Sequence, residues 1–108
     1  MTTYANTSYA VKNVSTSGST IISSIASGTA AVASLIISNT STSPITCDVY
    51  ITRSAVNYYI VKSATIAVGG SLEVIQGNRV VMIASDSLAV VTSAATSADV
   101  IASALTAV

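Results

Sequence analysis

The sequence predicts an all-β domain, an antiparallel β-sandwich or jelly roll of about eight short strands. Residues branched at Cβ are abundant, because 12 isoleucines, 14 valines and 14 threonines fill 40 of the 108 positions. Such side chains lose rotamer freedom in a helix and pack well on a pleated sheet. Strong helix formers are scarce, with four leucines, two lysines and one glutamate. Residues that form turns recur every 8–12 positions, which is typical of sandwiches and barrels.

The N-terminal segment is predicted to be a polar arm over residues 1–18, followed by a sandwich domain over residues 19–108. The arm contains a run of serine, threonine and glycine that is typical of a loop. Its large apolar side chains are Tyr4, Tyr9, Val11 and Val14. A short strand over residues 9–14 is an alternative within it. We expect a partner protein to order the arm, with Tyr4 and Tyr9 as its anchors.

Four strands are predicted in the first half of the domain, over residues 19–26, 31–39, 45–53 and 56–62. The third strand alternates with period two and has one apolar face formed by Ile45, Cys47, Val49 and Ile51. This alternation is typical of a half-buried strand. Pro44 has no N–H group to donate, so we expect it to precede that strand.

The second half is predicted to contain short strands over residues 65–68, 71–76, 79–82 and 88–93. Gly77 and Asn78 both tolerate positive φ, so they predict a two-residue hairpin between the second and third of these strands. Ser85 and Asp86 predict another tight turn, in which Asp86 bonds nearby backbone N–H groups. Residues 97–108 fit two patterns. Their apolar residues follow helical spacing, whereas the preceding hairpins favour a last strand.

The composition argues against an enzyme and against a metal or cofactor site. The chain has no histidine and one cysteine, Cys47. A histidine triad or a zinc site with several cysteines is therefore impossible within it. The four carboxylates do not cluster in one loop as in a calcium site. We expect no catalytic residue, no metal and no cofactor, and we expect Cys47 to be a small core residue.

Nucleic acid and membranes are not expected partners. The four Lys and Arg residues are too few to neutralise a phosphate track. The densest apolar run, residues 80–84, is too short to cross a bilayer, and the start of the chain lacks the regions of a signal peptide. Only 7% of residues are charged and the net charge is zero, so copies repel one another little. A surface with so few charges favours a subunit that assembles into a homo-oligomer.

Two tyrosines and an arginine are the candidate contact residues of the sandwich itself. Tyr50 falls on the polar face of its predicted strand, and Arg53 follows it. The adjacent Tyr58 and Tyr59 must point to opposite faces, so one ring leaves the core. Exposed tyrosine and arginine are frequent anchors in protein interfaces. Three interpretations stay open: plain packing, a subunit contact at Tyr50, Arg53 and Tyr59, and stacking of a glycan on an exposed ring.

Several turn and strand motifs carry a resemblance to one family. They are ASGTAAV over residues 26–32, LIISN over 35–39, YYIVK over 58–62, GGSLEV over 69–74, ASDSL over 84–88 and ADVI over 98–101. Over about residues 19–105 the chain resembles small structural proteins in the virions of tailed bacteriophages, including phages of cyanobacteria.

This resemblance implies a non-enzymatic β-sandwich subunit that is repeated many times on a virion. The expected role is that of a capsid decoration or cement protein, docked on the major capsid protein as a homo-oligomer, with a trimer favoured. A neck or tail accessory subunit that contacts neck or tail proteins is the next placement. The alternative function is a glycan- or receptor-binding module on the virion surface.

Overall fold

The computed structural model of the chain describes residues 4–23, 28–75 and 79–107. All regular structure in these residues is β-strand, as predicted, and none of them forms a helix that could span a membrane. The nine strands are β1 (Tyr4–Val11), β2 (Ser19–Ile22), β3 (Thr29–Asn39), β4 (Ile45–Arg53), β5 (Val56–Ile66), β6 (Ser71–Glu73), β7 (Val80–Ile83), β8 (Ser87–Thr92) and β9 (Ala98–Ala107).

The strands form two antiparallel sheets, which confirms the predicted sandwich. Sheet A has the order β1-β9-β3-β6, and β7 pairs with a second part of β3. Sheet B has the order β2-β8-β4-β5. Side chains alternate between the two faces of each strand, so each sheet turns one face to the core and one outward.

The core consists mainly of isoleucine, valine and leucine from the inner faces of both sheets. Sheet A contributes Val32, Leu35 and Ile37 from β3, and none of these is accessible to solvent. In sheet B the predicted apolar face of β4 is buried, and Cys47 lies within it. Each fully buried side chain of this size stabilises the fold by about 1.5–3 kcal/mol relative to exposure.

The described part of the predicted arm, residues 4–18, belongs to the sandwich. β1 pairs with β9 along its whole length, from Tyr4 opposite Ala107 to Val11 opposite Val100. Val14 follows in the core, and its N–H group donates to the carbonyl of Ala98 at 2.9 Å. The strand thus begins and ends earlier than the predicted segment over residues 9–14. The polar composition of β1 concealed it because half of its side chains face solvent.

The C-terminal segment is a strand rather than a helix. In β9 the small residues Ala102 and Ala104 face the core, whereas Ile101 and Leu105 point outward and are exposed. Apolar residues on both faces of one strand produced the apparent helical spacing.

The prediction that β6 and β7 pair with each other as a hairpin is wrong. Both strands run antiparallel to β3 and follow one another along its edge, β6 opposite residues 36–38 and β7 opposite residues 29–32. The predicted turn at Gly77 and Asn78 lies outside the described residues. Where β6 ends, the Glu73 carboxylate accepts hydrogen bonds from the N–H groups of Leu35 at 3.0 Å and Ile75 at 3.2 Å. The Glu73 side chain thus supplies hydrogen bonds where the backbone ladder between β3 and β6 has ended.

Candidate interaction surface

The outer face of sheet B brings together two of the predicted contact residues, Tyr50 and Tyr59. They are direct partners in the β4–β5 ladder. Their ring centroids lie 5.3 Å apart at an interplanar angle of 59°, a tilted arrangement that aromatic pairs favour. The Lys62 ammonium lies 4.5 Å from the centroid of the Tyr59 ring, within the range of a cation–π contact. Tyr59 remains 48% exposed, so its ring is available to a partner.

A bulge in β5 holds Lys62 over this ring. The β4–β5 register shifts on both sides of Val49, and Ser63 adopts a φ of 55°. The Asp48 carboxylate accepts a hydrogen bond from the Ser63 N–H group at 2.7 Å and one from the Lys62 ammonium at 3.2 Å. The hydrogen bond that the Lys62 ammonium donates to Asp48 raises the pKa of Lys62, which therefore stays charged beside Tyr59.

A shallow polar hollow borders the bulge, lined in part by Thr46, Asp48 and Ser63. Its volume is about 110 Å³, well below the several hundred Å³ of pockets that enclose a small-molecule ligand. This hollow is therefore too small to enclose a small-molecule ligand.

Arg53 forms an ion pair with Asp86 of its own chain, and its side chain is 42% exposed. Its Nε donates to both Asp86 carboxylate oxygens, at 2.9 and 3.1 Å, and its second guanidinium nitrogen reaches Oδ2 at 2.6 Å. Asp86 is fully buried and also accepts from the Ile83 N–H group at 3.0 Å. Hydrogen bonds from Arg53 lower the pKa of Asp86 despite its burial. The pair joins the end of β4 to the turn between β7 and β8. Arg53 therefore has a structural partner within its own chain.

The two tyrosines predicted as arm anchors lie in β1. Tyr9 is half-buried and packs against the core, so it stabilises the sandwich itself. Tyr4 begins the strand, and its side chain lies outside the described part of the structure. Of the five predicted contact residues, the structure brings together Tyr50 and Tyr59.

The outer face of sheet A carries a surface that the sequence did not single out, here called the apolar face of sheet A. Its exposed large residues are Ile36, Val81, Ile83, Ile101 and Leu105. The register aligns them in cross-strand rows, with Ile36 opposite Ile101 and with Leu105 and Val81 on either side of Ala31. Ile101 is 57% exposed and Val81 is 52% exposed. Adjacent apolar groups of this size on a surface are typical of binding sites.

One part of the pattern indicated this surface. Alternation in β9 places Ile101 and Leu105 on the same side as Asp99 and Ser103, which is the solvent side. The residues of β3 and β7 gave no such indication, because a strand that is apolar on both faces resembles a fully buried one.

Asp48, Asp86 and Asp99 each pair with a basic side chain and do not cluster with one another. No group of three carboxylate or cysteine side chains in residues 4–23, 28–75 and 79–107 lies close enough to hold a metal ion. Burial, with a smaller contribution from neighbouring Asp48, raises the pKa of the Cys47 thiol to about 11. This thiol is therefore protonated at neutral pH and enclosed in the core.

Comparison with known proteins adds information about the fold. No protein-family model matches the chain, and no curated protein matches it. It is similar to a solved structure described as "Bacillus endospore appendages form a novel family of disulfide-linked pili". The TM-score is 0.59 at 14% sequence identity, and the match covers 100% of this chain and 91% of the other. At this identity the likeness shows a shared β-sandwich fold.

Proposed function

We propose that the chain is a non-enzymatic structural subunit of a tailed-phage virion, a capsid decoration or cement protein that acts as a homo-oligomer. A neck or tail accessory subunit is the second placement. The phage assignment is supported by the resemblance of the strand and turn motifs, above all YYIVK over residues 58–62 and GGSLEV over residues 69–74. The observation that carries a structural role is the apolar face of sheet A.

This face is suited to a contact with another subunit. Burying the exposed half of each large side chain contributes about 1 kcal/mol, so the five residues together supply about 5 kcal/mol. Ser8, Ser103 and Ser34 form a row across the same face, and short side chains lose little entropy on contact. Many copies on one particle make weak individual contacts effective.

The fold neighbour is consistent with a structural role, since its description is of a pilus. That description also names disulfide linkage. In this chain the one cysteine, Cys47, is enclosed in the core. We therefore propose that copies of this protein associate through non-covalent contacts.

The oligomer is tested by measuring the mass of the purified protein with light scattering after size-exclusion chromatography. We expect an oligomer, with a trimer as the favoured size, and we expect Ile101→Asp to lower its mass by breaking the contact through the apolar face of sheet A. Thr65→Asp is the matched control, because it adds the same charge to an exposed position on the outer face of sheet B. A monomeric wild-type protein, or equal dissociation by both variants, contradicts a contact through the apolar face.

The placement is tested by low-resolution maps of intact particles with and without the protein. Added density on the capsid lattice supports decoration, and density at the neck or tail supports the second placement. If the maps of particles with and without the protein are identical, this result contradicts a virion role.

A second candidate function is glycan or receptor binding, favoured by the exposed Tyr59 ring beside Tyr50 and Lys62. It predicts binding on a glycan array that Tyr59→Ala abolishes. Tyr58→Ala is the control, because Tyr58 is 57% exposed on the opposite side of the same strand. Absence of binding by the wild-type protein, or equal loss in both variants, rejects this function.

A further inference from the structure

β1 is an edge strand with an open side. It pairs with β9 over eight consecutive residues without a shift in register, and in the described part of the chain it ends the order of sheet A. In an antiparallel ladder alternate residues direct their N–H and C=O groups to opposite sides. About half of the backbone groups of β1 therefore point away from β9.

The other edges of the sandwich are interrupted. β5 has two register shifts against β4, a residue of positive φ at Ser63, and the charge of Lys62. β6 and β7 are separate short strands, and β2 has four residues with a shift of its own. Bulges, charges and short lengths are the devices that keep an edge strand from pairing with another chain. β1 (YANTSYAV) has none of them, since it contains no charged residue and no proline.

The sequence of β1 complements itself when it is reversed about Thr7. In that register Ala5 lies opposite Tyr9, and Asn6 lies opposite Ser8. Directly opposite residues of an antiparallel pair share a face. Two large rings would therefore each meet a small alanine on the inner face, and polar residues would meet on the outer face. We propose that β1 pairs antiparallel with β1 of a second copy, with the two Thr7 residues facing each other at a two-fold axis.

Such a pair joins the two A sheets into one continuous sheet. The contact is isologous, because the same strand is used by both copies. It is formed by backbone groups of β1 and not by the apolar face of sheet A, so it stands whether or not that face binds a partner. The two apolar faces would lie side by side across the seam.

The test is disulfide trapping with single cysteine substitutions, followed by mass measurement under non-reducing conditions. In the proposed register the two Cβ atoms at position 7 lie about 4.5–5.5 Å apart, which a small adjustment makes compatible with a disulfide. We expect Thr7→Cys to form a covalent dimer on mild oxidation. Ser103→Cys is the control, because this exposed position opposite Ser8 on β9 is separated from its equivalent by three strand spacings, about 14 Å.

The outcomes separate this proposal from the proposed function. A covalent dimer of Thr7→Cys that persists when Ile101→Asp is added supports pairing at β1 alone. The pairing is overturned if Thr7→Cys forms no dimer, or if Thr7→Cys and Ser103→Cys form it in equal yield. The register is overturned if Ser8→Cys forms a dimer and Thr7→Cys does not. Hydrogen exchange of the unsubstituted protein avoids any folding defect that a cysteine substitution causes. Protection of the β1 amides must rise with protein concentration if the pair forms. Protection that does not change with concentration rejects the pair.

Discussion

The side chain of Asn39 joins the two sheets at one end of the sandwich, and its replacement by aspartate should be among the most damaging single changes. Asn39 ends β3 and is 4% exposed. Its Nδ2 donates to the carbonyls of Ser43, Ile66 and Ala67 at 2.9, 3.1 and 3.3 Å. Its Oδ1 accepts from the N–H group and the hydroxyl of Ser41 at 2.9 and 2.7 Å. The backbone donor at Ser41 fixes the orientation of the amide.

Asn39→Asp keeps the shape of the side chain and removes both of its donors. The bond to the Ile66 carbonyl is buried, whereas the other two carbonyls are partly accessible to water. Leaving one buried acceptor without a donor costs about 1–3 kcal/mol, and a carboxylate that faces carbonyl oxygens adds to this cost. We expect the free energy of unfolding to fall by about 3 kcal/mol at pH 7. The melting temperature should fall by roughly 12–20 °C in a domain of this size.

Urea unfolding followed by circular dichroism measures this loss. Asn57→Asp is the matched control, because Asn57 is exposed and its Oδ1 accepts a hydrogen bond from Thr52 that a carboxylate also accepts. The control should remain within about 0.5 kcal/mol of the wild type. The loss in Asn39→Asp should shrink at acid pH, where a protonated carboxyl regains one donor. Equal stability of the two variants at pH 7 would refute the role assigned to Asn39.

Three further predictions follow from the core and its charges. Cys47 should resist alkylation in the folded protein at pH 8 and react on unfolding, because burial raises its pKa to about 11; rapid labelling of folded protein contradicts this. The pKa values of Asp86 and Asp99 are lowered by hydrogen bonds from Arg53 and from the Asn13 N–H group. The two carboxylates therefore stabilise the fold above the pKa that they have in the unfolded chain, and unfolding titrations should show this stability disappearing below about pH 4. A free energy of unfolding that does not change with pH contradicts this. Leu35→Ala should cost about 3 kcal/mol in urea unfolding, whereas its exposed neighbour in the control Ile36→Ala should cost less than about 1 kcal/mol; equal losses would place Leu35 outside the core.

Local alternation was sufficient to predict most of the strands. Ile45, Cys47 and Val49 repeat every second residue, and β4 has the predicted bounds. The turn at Ser85 was also predictable, since the Asp86 side chain bonds a backbone N–H group three residues earlier. These features depend on neighbours in sequence.

Features set by distant contacts could not be predicted in this way. β1 has a polar composition, and its strand structure depends on β9 at the opposite end of the chain. β6 and β7 resemble a hairpin locally, but the long β3 offers both of them a pairing edge. Tyr50 meets Tyr59 only because Ile60 is bulged out of the register, and a bulge changes which residues face each other without leaving a clear pattern in the sequence.

The bulges in β5 and the break between β6 and β7 bear on how far growth by strand pairing can go. A subunit with two flat edges would add copies at both ends and polymerise into a fibre. In the described part of the chain one such edge is available, so growth by strand pairing alone stops at two molecules, and a larger assembly must use another contact such as the apolar face of sheet A. Straightening β5, for example by deleting both of its extra residues, would supply a second edge and should convert a closed species into an insoluble aggregate.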